Sequence, residues 1–258
     1  MSKRSRFPQR VRARETLVGP WMSIPHPMVV EMMAQAGPDF LLIDGEHAPI
    51  TPQALPALLP AADQQDLPVI YRVAWNRIEL IKAALDSGVA GLMVPMINSA
   101  AEAAEAIAAA KYPPMGKRGM GAWRASNYYL DDGAYVERAN QDTLMVLQIE
   151  TKEAIRDIKA IAQVPGIDAL FIGPADLSRS LGLASTAPEA ELRKAYAQVV
   201  RAAERNGIAA GIDVVSPDYA AIYREIGFTF MTFGTDFGFI IDAGKASLKK
   251  FRAKIKAA

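Results

Sequence analysis

The sequence predicts a single-domain (β/α)8 TIM barrel of the α/β class, and three observations carry that expectation. Eight short apolar runs recur along 258 residues, helix-period segments separate them, and no linker or composition shift divides the chain. A doubly wound open sheet, the main rival, would usually bind its ligand at a glycine-rich first turn, and none follows the first run.

The runs are TLVGPWMS (16–23), FLLID (40–44), PVIYRV (68–73), GLMVPM (91–96), LMVLQIE (144–150), DALFIG (168–173), IAAGIDVV (208–215) and FTFMTFG (228–234). Most are continuous stretches of Val, Ile, Leu, Met and Phe, the pattern of parallel strands covered on both faces. Helix-period segments lie at 26–37, 77–88, 100–111, 152–163 and 188–207, several closing on glycine or lysine as a helix C-terminus does. In 100–111, Glu102 and Glu105 stand early and Lys111 late, matching the helix dipole. The interval 112–133, YPPMGKRGMGAWRASNYYLDDG, has little helical period and is long enough to expect a functional loop. Lys117 and Arg118 are its candidates for lid or anion-contact duty. Residues 1–14 form a basic arm expected to fray. Residues 245–258 are expected to form a basic amphipathic helix, solvated or packed on another subunit.

Composition narrows the function. With 29 basic and 28 acidic residues the formal charge is +1, which gives no reason to expect a nucleic-acid or membrane-surface partner. No apolar run approaches the roughly 20 residues that span a bilayer, and the N-terminus lacks the apolar stretch of a secretory signal. The absence of cysteine excludes disulfides, thiolate metal sites and cysteine nucleophiles, and fits a cytoplasmic protein.

In such a barrel the reactive groups stand at the C-terminal ends of the strands. Those ends carry Asp44, Glu46 and His47, then Arg72, then Gln148 and Glu150, then Asp176 by way of GPAD. A core strand that ends on three ionisable groups within four residues is a strand whose end faces a polar site. Each group also has a structural reading. Asp44 could cap a turn, His47 could be a hydrogen-bonded loop histidine, Arg72 could neutralise a rim acid, and Glu150 and Asp176 could cap the helices that follow. Two carboxylates, no cysteine and only two histidines, His26 and His47, favour a hard divalent cation (Mg2+, Mn2+ or Co2+) over zinc. Arg72 could then stabilise an oxyanion and His47 act as a base. Trp21 is a candidate pocket wall, and Trp75 and Trp123 are weaker ones.

LLIDGEHAP, YPPMGKRGMG, LQIETKEAI and FIGPADLS, spread in order along the chain, closely resemble the HpcH/HpaI family of metal-dependent class II pyruvate aldolases. The resemblance runs from about Leu17 to the last strand. It implies that Glu150 and Asp176 hold the divalent metal, that Arg72 meets the oxyanion, and that His47 assists proton transfer while Asp44 orients that region. It further implies that Gln148 binds a metal-ligated water and that the backbone at Gly173, Pro174, Ala175 and Asp176 receives the substrate carboxylate. Asp86 would reach a neighbouring subunit's histidine, in a homo-oligomer that the resemblance makes a hexamer. The implied reaction cleaves a 4-hydroxy-2-oxo acid to pyruvate, or hydroxypyruvate, and an aldehyde, with His47 or a metal-bound hydroxide as base. His26, in a first-strand loop where relatives tend to carry serines, reads as structural with a possible reach to the aldehyde end. Asp213 and Ser216 follow the seventh strand, where substrate preference is shaped.

Four alternatives compete. A Schiff-base aldolase needs a strand lysine, and none of the eight runs contains one. An acyl-CoA lyase relative shares the barrel and metal acids, but DGEH with its histidine argues for the free 2-oxo acid branch. A non-catalytic 2-oxo acid binding barrel would be expected to have lost a rim group. For a nucleotide-binding oxidoreductase, GKRGMG has the order G-x-x-G-x-G and follows no strand, so it meets neither the dinucleotide nor the P-loop pattern.

Overall fold

The computed structural model describes residues 3–184, 186 and 190–256. Eight parallel strands close in chain order: β1 Leu17–Met22, β2 Leu41–Asp44, β3 Val69–Arg72, β4 Gly91–Val94, β5 Leu144–Ile149, β6 Ala169–Ile172, β7 Ala209–Asp213 and β8 Phe230–Thr235, with β8 returning to β1. Around them run α1 Lys3–Arg12, α2 Pro27–Gln35, α3 Leu55–Gln64, α4 Ile78–Asp86, α5 Ala100–Ala110, α6 Asp132–Asp142, α7 Lys152–Ala162, α8 Pro174–Ser180, α9 Ala190–Arg205, α10 Ala220–Ile226 and α11 Asp236–Lys256.

Strand alternation sorts the side chains into two cores. Outward residues such as Leu41, Ile43, Leu92 and Ile172 join the helices in the outer layer. Inward residues, among them Leu17, Leu42, Ile70, Met93, Val146, Phe171 and Phe230, fill the barrel itself. Phe40 stacks on Phe230 with centroids 4.5 Å apart, and Trp21 meets Phe171 edge-on at 6.4 Å. Continuing the same period by two residues past this layer brings Asp44 after Leu42, Arg72 after Ile70, Gln148 and then Glu150 after Val146, and Asp213 after Gly211. The apolar fill stops and the polar site begins on one alternating face.

Several expectations change here. The basic segment is not a frayed arm over its described part: residues 3–12 form α1, and Phe7 and Val11, one turn apart, are buried against the barrel floor. Residues 1 and 2 lie outside the described residues. The last helix begins at Asp236 rather than 245, and residues 257–258 lie outside the description. Asp236 Oδ2 accepts the amides of Ser23 and Ile24, tying the start of α11 to the first rim loop. The 188–207 segment is helical over Ala190–Arg205, its first two residues being undescribed. The long interval yields a helix, α6, leaving 112–131 as the irregular stretch. No helix among the described residues is long and apolar enough to cross a membrane.

Candidate active site

Asp44, His47, Arg72, Gln148, Gly173, Pro174, Ala175, Asp176, Trp21 and Asp213 line one cavity of about 420 Å³ at the C-terminal mouth of the barrel. Glu150 stands just behind that wall. Its Oε2 accepts Gln148 Nε2 at 2.5 Å and its Oε1 accepts the Met96 amide at 2.8 Å. Thr151, not Glu150, caps α7, accepting the Ala154 amide on its hydroxyl. Glu150 is therefore free of the capping duty its position allowed. Asp176 sits in the first turn of α8, whose cap residue is Gly173. Gly173 is required by contact: a Cβ there would lie 2.7 Å from Glu150 Oε2 and 2.9 Å from Gln148 Nε2.

Arg72 is held in a fork. Its Nε and Nη2 donate to the two oxygens of Asp44 at 2.9 and 2.8 Å, and its Nη1 lies 3.0 Å from Glu46. Its guanidinium also stacks on the Trp21 ring, 4.4 Å from the centroid. Asp44 accepts the amides of Glu46 and His47 as well, so it orders the turn and the arginine together. His47 stands at the pocket edge, its side chain 65% exposed, with Nε2 3.7 Å from Glu46.

The charges do not balance. Burial pushes Asp44 up, but the Arg72 fork and the two amides outweigh it and hold the carboxyl below its usual range. Glu46 is pushed up by burial despite Arg72, with the charges of Asp44 and Asp176 adding to the rise. Glu150 rises to about 7, first from burial and then from the negative charges of Glu46 and Asp176. The negative charges of Glu46 and Asp176 both act on Glu150, and that of Asp176 on Glu46, so the three carboxyl groups belong to one part of the rim. Gln148 Oε1 is buried there with no partner among the described residues.

These features fit a hard divalent cation: surplus buried carboxylate, an orphaned amide oxygen and no thiolate. Among the described residues no group of three His, Cys, Asp or Glu side chains is arranged to hold a metal. Glu150 and Asp176 are the two carboxylates here that could hold such an ion, which would leave its remaining positions open to water and substrate.

Other sequence candidates fall elsewhere. Asp86 ends α4 at the opposite, N-terminal end of the barrel, where it pairs with Arg118 at 2.7 Å. The lid reading of 112–133 is overturned for this chain's own site. Arg118 is buried against Tyr112 at that far end, and Trp123 packs on Tyr128 there. A larger cavity, about 500 Å³, also opens at that end between α1, α6 and residues 124–128, but its described guanidiniums Arg4, Arg124 and Arg138 are each paired with Asp63 or Asp142. His26 caps α2, its Nδ1 accepting the Met28 amide, and Ser216 caps the turn Pro217–Tyr219. Trp75 is exposed and outside the pocket wall. Ser23, Ala48, Pro49, Phe171, Val215, Thr235 and Phe237 complete that wall without having been singled out from the sequence; Ser23, Val215 and Thr235, at or just past strand ends, carried a positional signal, and Phe237 of α11 carried none.

A family model described as HpcH/HpaI aldolase/citrate lyase matches residues 17–243. A 4-hydroxy-2-oxo-heptane-1,7-dioate aldolase of Escherichia coli is 36% identical over 254 residues, 97% of this chain and 96% of its own. A 2-keto-3-deoxy-L-rhamnonate aldolase of Klebsiella pneumoniae is 40% identical over 228 residues, 86% of this chain and 84% of its own. Among solved structures, a HpcH/HpaI aldolase/citrate lyase family protein from Burkholderia cenocepacia superposes with a TM-score of 0.90 at 33% identity, covering 96% of this chain and 99% of that one.

Proposed function

Because the chain belongs to the HpcH/HpaI aldolase/citrate lyase family, we propose that it reversibly cleaves 4-hydroxy-2-oxo acids into pyruvate, or hydroxypyruvate, and an aldehyde. The observation that carries this reading is the convergence of Glu46, Glu150 and Asp176 beside the forked Arg72, a site with more carboxylate than its own cations neutralise. Glu150 and Asp176 would hold a divalent ion (Mg2+, Mn2+ or Co2+), which when bound supplies Lewis acidity to the 2-oxo group.

The chain's own residues account for the rest. The backbone from Gly173 to Asp176 opens α8 toward the pocket and receives the substrate carboxylate. Gln148 orients Glu150 through its amide and turns its free Oε1 to the site. His47, at the wet edge of the cavity, takes the proton of the C4 hydroxyl. The C3–C4 electron pair then passes toward C2, C4 leaves as the aldehyde carbon, Arg72 stabilises the negative charge arriving on the C2 oxygen, and protonation at C3 completes pyruvate. Because Asp44 fixes that guanidinium beforehand, little reorganisation is needed when the charge develops.

We also propose a homo-oligomer, a hexamer by family resemblance. Phe239, Ile240, Ile241, Leu248 and Phe251 of α11 stand exposed on the single chain, and Asp86 can serve His47 only of another copy. The deciding assay is coupled pyruvate release over a panel of 4-hydroxy-2-oxo acids, using chelated enzyme with each cation restored. Borohydride with pyruvate should leave the protein unlabelled. Labelling together with chelator-resistant turnover would replace this reading with Schiff-base chemistry.

A further inference from the structure

We propose that Asp213 selects the aldehyde half of the substrate, favouring aldehydes that carry a hydroxyl group and disfavouring those that end in a carboxylate. This inference rests on the aldolase reading and deepens it.

Asp213 is the last residue of β7 and lines the same cavity as Arg72, Gln148 and Asp176. One of its oxygens is fully engaged. Oδ1 accepts Trp21 Nε1 at 2.8 Å and Thr232 Oγ1 at 2.6 Å, and the same indole N–H also reaches Thr232 at 2.9 Å. Among the described residues no donor reaches Oδ2. The carboxyl group is thus held from behind, in the wall of the cavity, with one acceptor left over. Trp21 sets its distance from the chemistry, because the ring whose edge holds Asp213 carries the Arg72 guanidinium on its face. Asp213 therefore stands one indole away from the residue assigned to the 2-oxo group, where the distal part of a substrate would lie.

The rest of the wall sharpens the choice. Ala48, Pro49, Phe171, Val215 and Phe237 offer no polar side chain, and Ser23 and Thr235 add hydroxyls. Arg72 is the one guanidinium among the described lining residues, and Asp44 and Glu46 already occupy it. A carboxylate carried at the far end of the aldehyde would find no lysine and no second guanidinium among the described lining residues, and would meet Asp213 as a like charge. A hydroxyl group would instead find an acceptor that the fold leaves unused. Buried acceptors built to meet a hydroxyl discriminate far more strongly than an apolar wall does.

The test is a comparison of aldehydes in the condensation direction, with pyruvate, Mn2+ and the full chain. Glyceraldehyde stands for the hydroxylated class, succinic semialdehyde for the carboxylate class and propanal for neither. The proposal expects kcat/KM for glyceraldehyde to exceed that for succinic semialdehyde by at least about tenfold. Asp213→Leu should shrink that ratio about tenfold or more, mainly through KM for glyceraldehyde. Asp213→Asn, which keeps an oxygen for Trp21 and Thr232, should move it in the same direction by less. A merely structural role would depress both aldehydes together and leave the ratio alone. A wild-type preference for the semialdehyde, or a ratio unmoved in both variants, overturns the proposal while the aldolase reading stands. Failure to condense any of the three aldehydes with Mn2+, or with Mg2+ or Co2+ in its place, overturns both.

Discussion

At the N-terminal end of the barrel, Arg118 closes on Asp86 at 2.7 Å, Arg12 on Asp168 at 2.7 Å, and Lys111 donates to the carbonyls of Asn140 and Thr143. At the C-terminal end, Glu150 is buried beside Glu46 and Asp176, and Arg72 is shared between Asp44 and Glu46. Both ends bury charge, but only the second holds more carboxylate than its own cations neutralise. Pairing of the kind at the first end holds a loop and a helix in place. Surplus of one sign in a concave, half-wet site is stable only with a counter-ion or a proton, and so points to a ligand. The contrast explains why the larger cavity, at the paired end, is the less informative one.

The comparison breaks most directly at the metal acids. Glu150→Ala and Asp176→Ala should each cut pyruvate release by about a thousandfold or more, since each removes half of the protein's hold on the cation. Wild-type turnover in either variant would mean that the surplus charge serves no catalytic purpose. Arg72→Lys is the next largest effect. A lysine cannot reproduce the fork on Asp44, and kcat should fall roughly a hundredfold with the fold intact by circular dichroism.

The paired end should answer in stability instead. Arg118→Met leaves Asp86 buried without its partner and should cost about 3 kcal/mol in urea unfolding. Adding Asp86→Leu should recover most of that loss, because the double variant buries no lone charge. If Arg118→Met proves neutral, the pairing does not hold that end together. Gly173→Ala probes the rim more gently. Its Cβ meets Glu150 Oε2 and Gln148 Nε2, so cation affinity measured by calorimetry should fall about tenfold.

A further effect is in pH, and its sign follows from burial. Glu150 titrates near 7 in the fold against 4.5 as the ordinary value, so the folded chain binds a proton there more tightly than the unfolded chain. The stability of the chelated protein should therefore be greatest below about 4.5 as far as this group is concerned, and decline as pH rises to about 7. A divalent cation competes with the same proton. Its affinity should strengthen as pH rises toward 7 and level off above, and its addition should restore the melting temperature most at pH 8. A melting temperature of the chelated protein that climbs between pH 5 and 8 would assign the rise in Glu150 to the wrong sign.

Much of the rim was legible because a strand's inward face keeps a period of two, and the step from Leu42 to Asp44 or from Ile70 to Arg72 shows where apolar fill gives way. Glu46 was visible in DGEH but had no assignable task until its position against Arg72 was known. Asp213 ended a strand in plain view, yet that Trp21 and Thr232 occupy one of its oxygens is a contact between distant residues. No local pattern encodes it. The lid assigned to 112–133 failed for a reason the sequence contained: a segment that follows a helix and precedes a strand must cross the N-terminal end of a barrel, away from the reactive rim. α1 was hidden because Phe7 and Val11 are its whole apolar stripe amid arginines. The exposed face of α11 reads as amphipathic in sequence without saying what covers it.

Manganese binding to the chelated full chain, followed by electron paramagnetic resonance in the wild type and in Glu150→Gln, tests the metal-bearing rim most directly. One ion per chain in the wild type, lost or weakened at least about tenfold in the variant, is the result expected here. Equal binding in both proteins, or none in either, would contradict it.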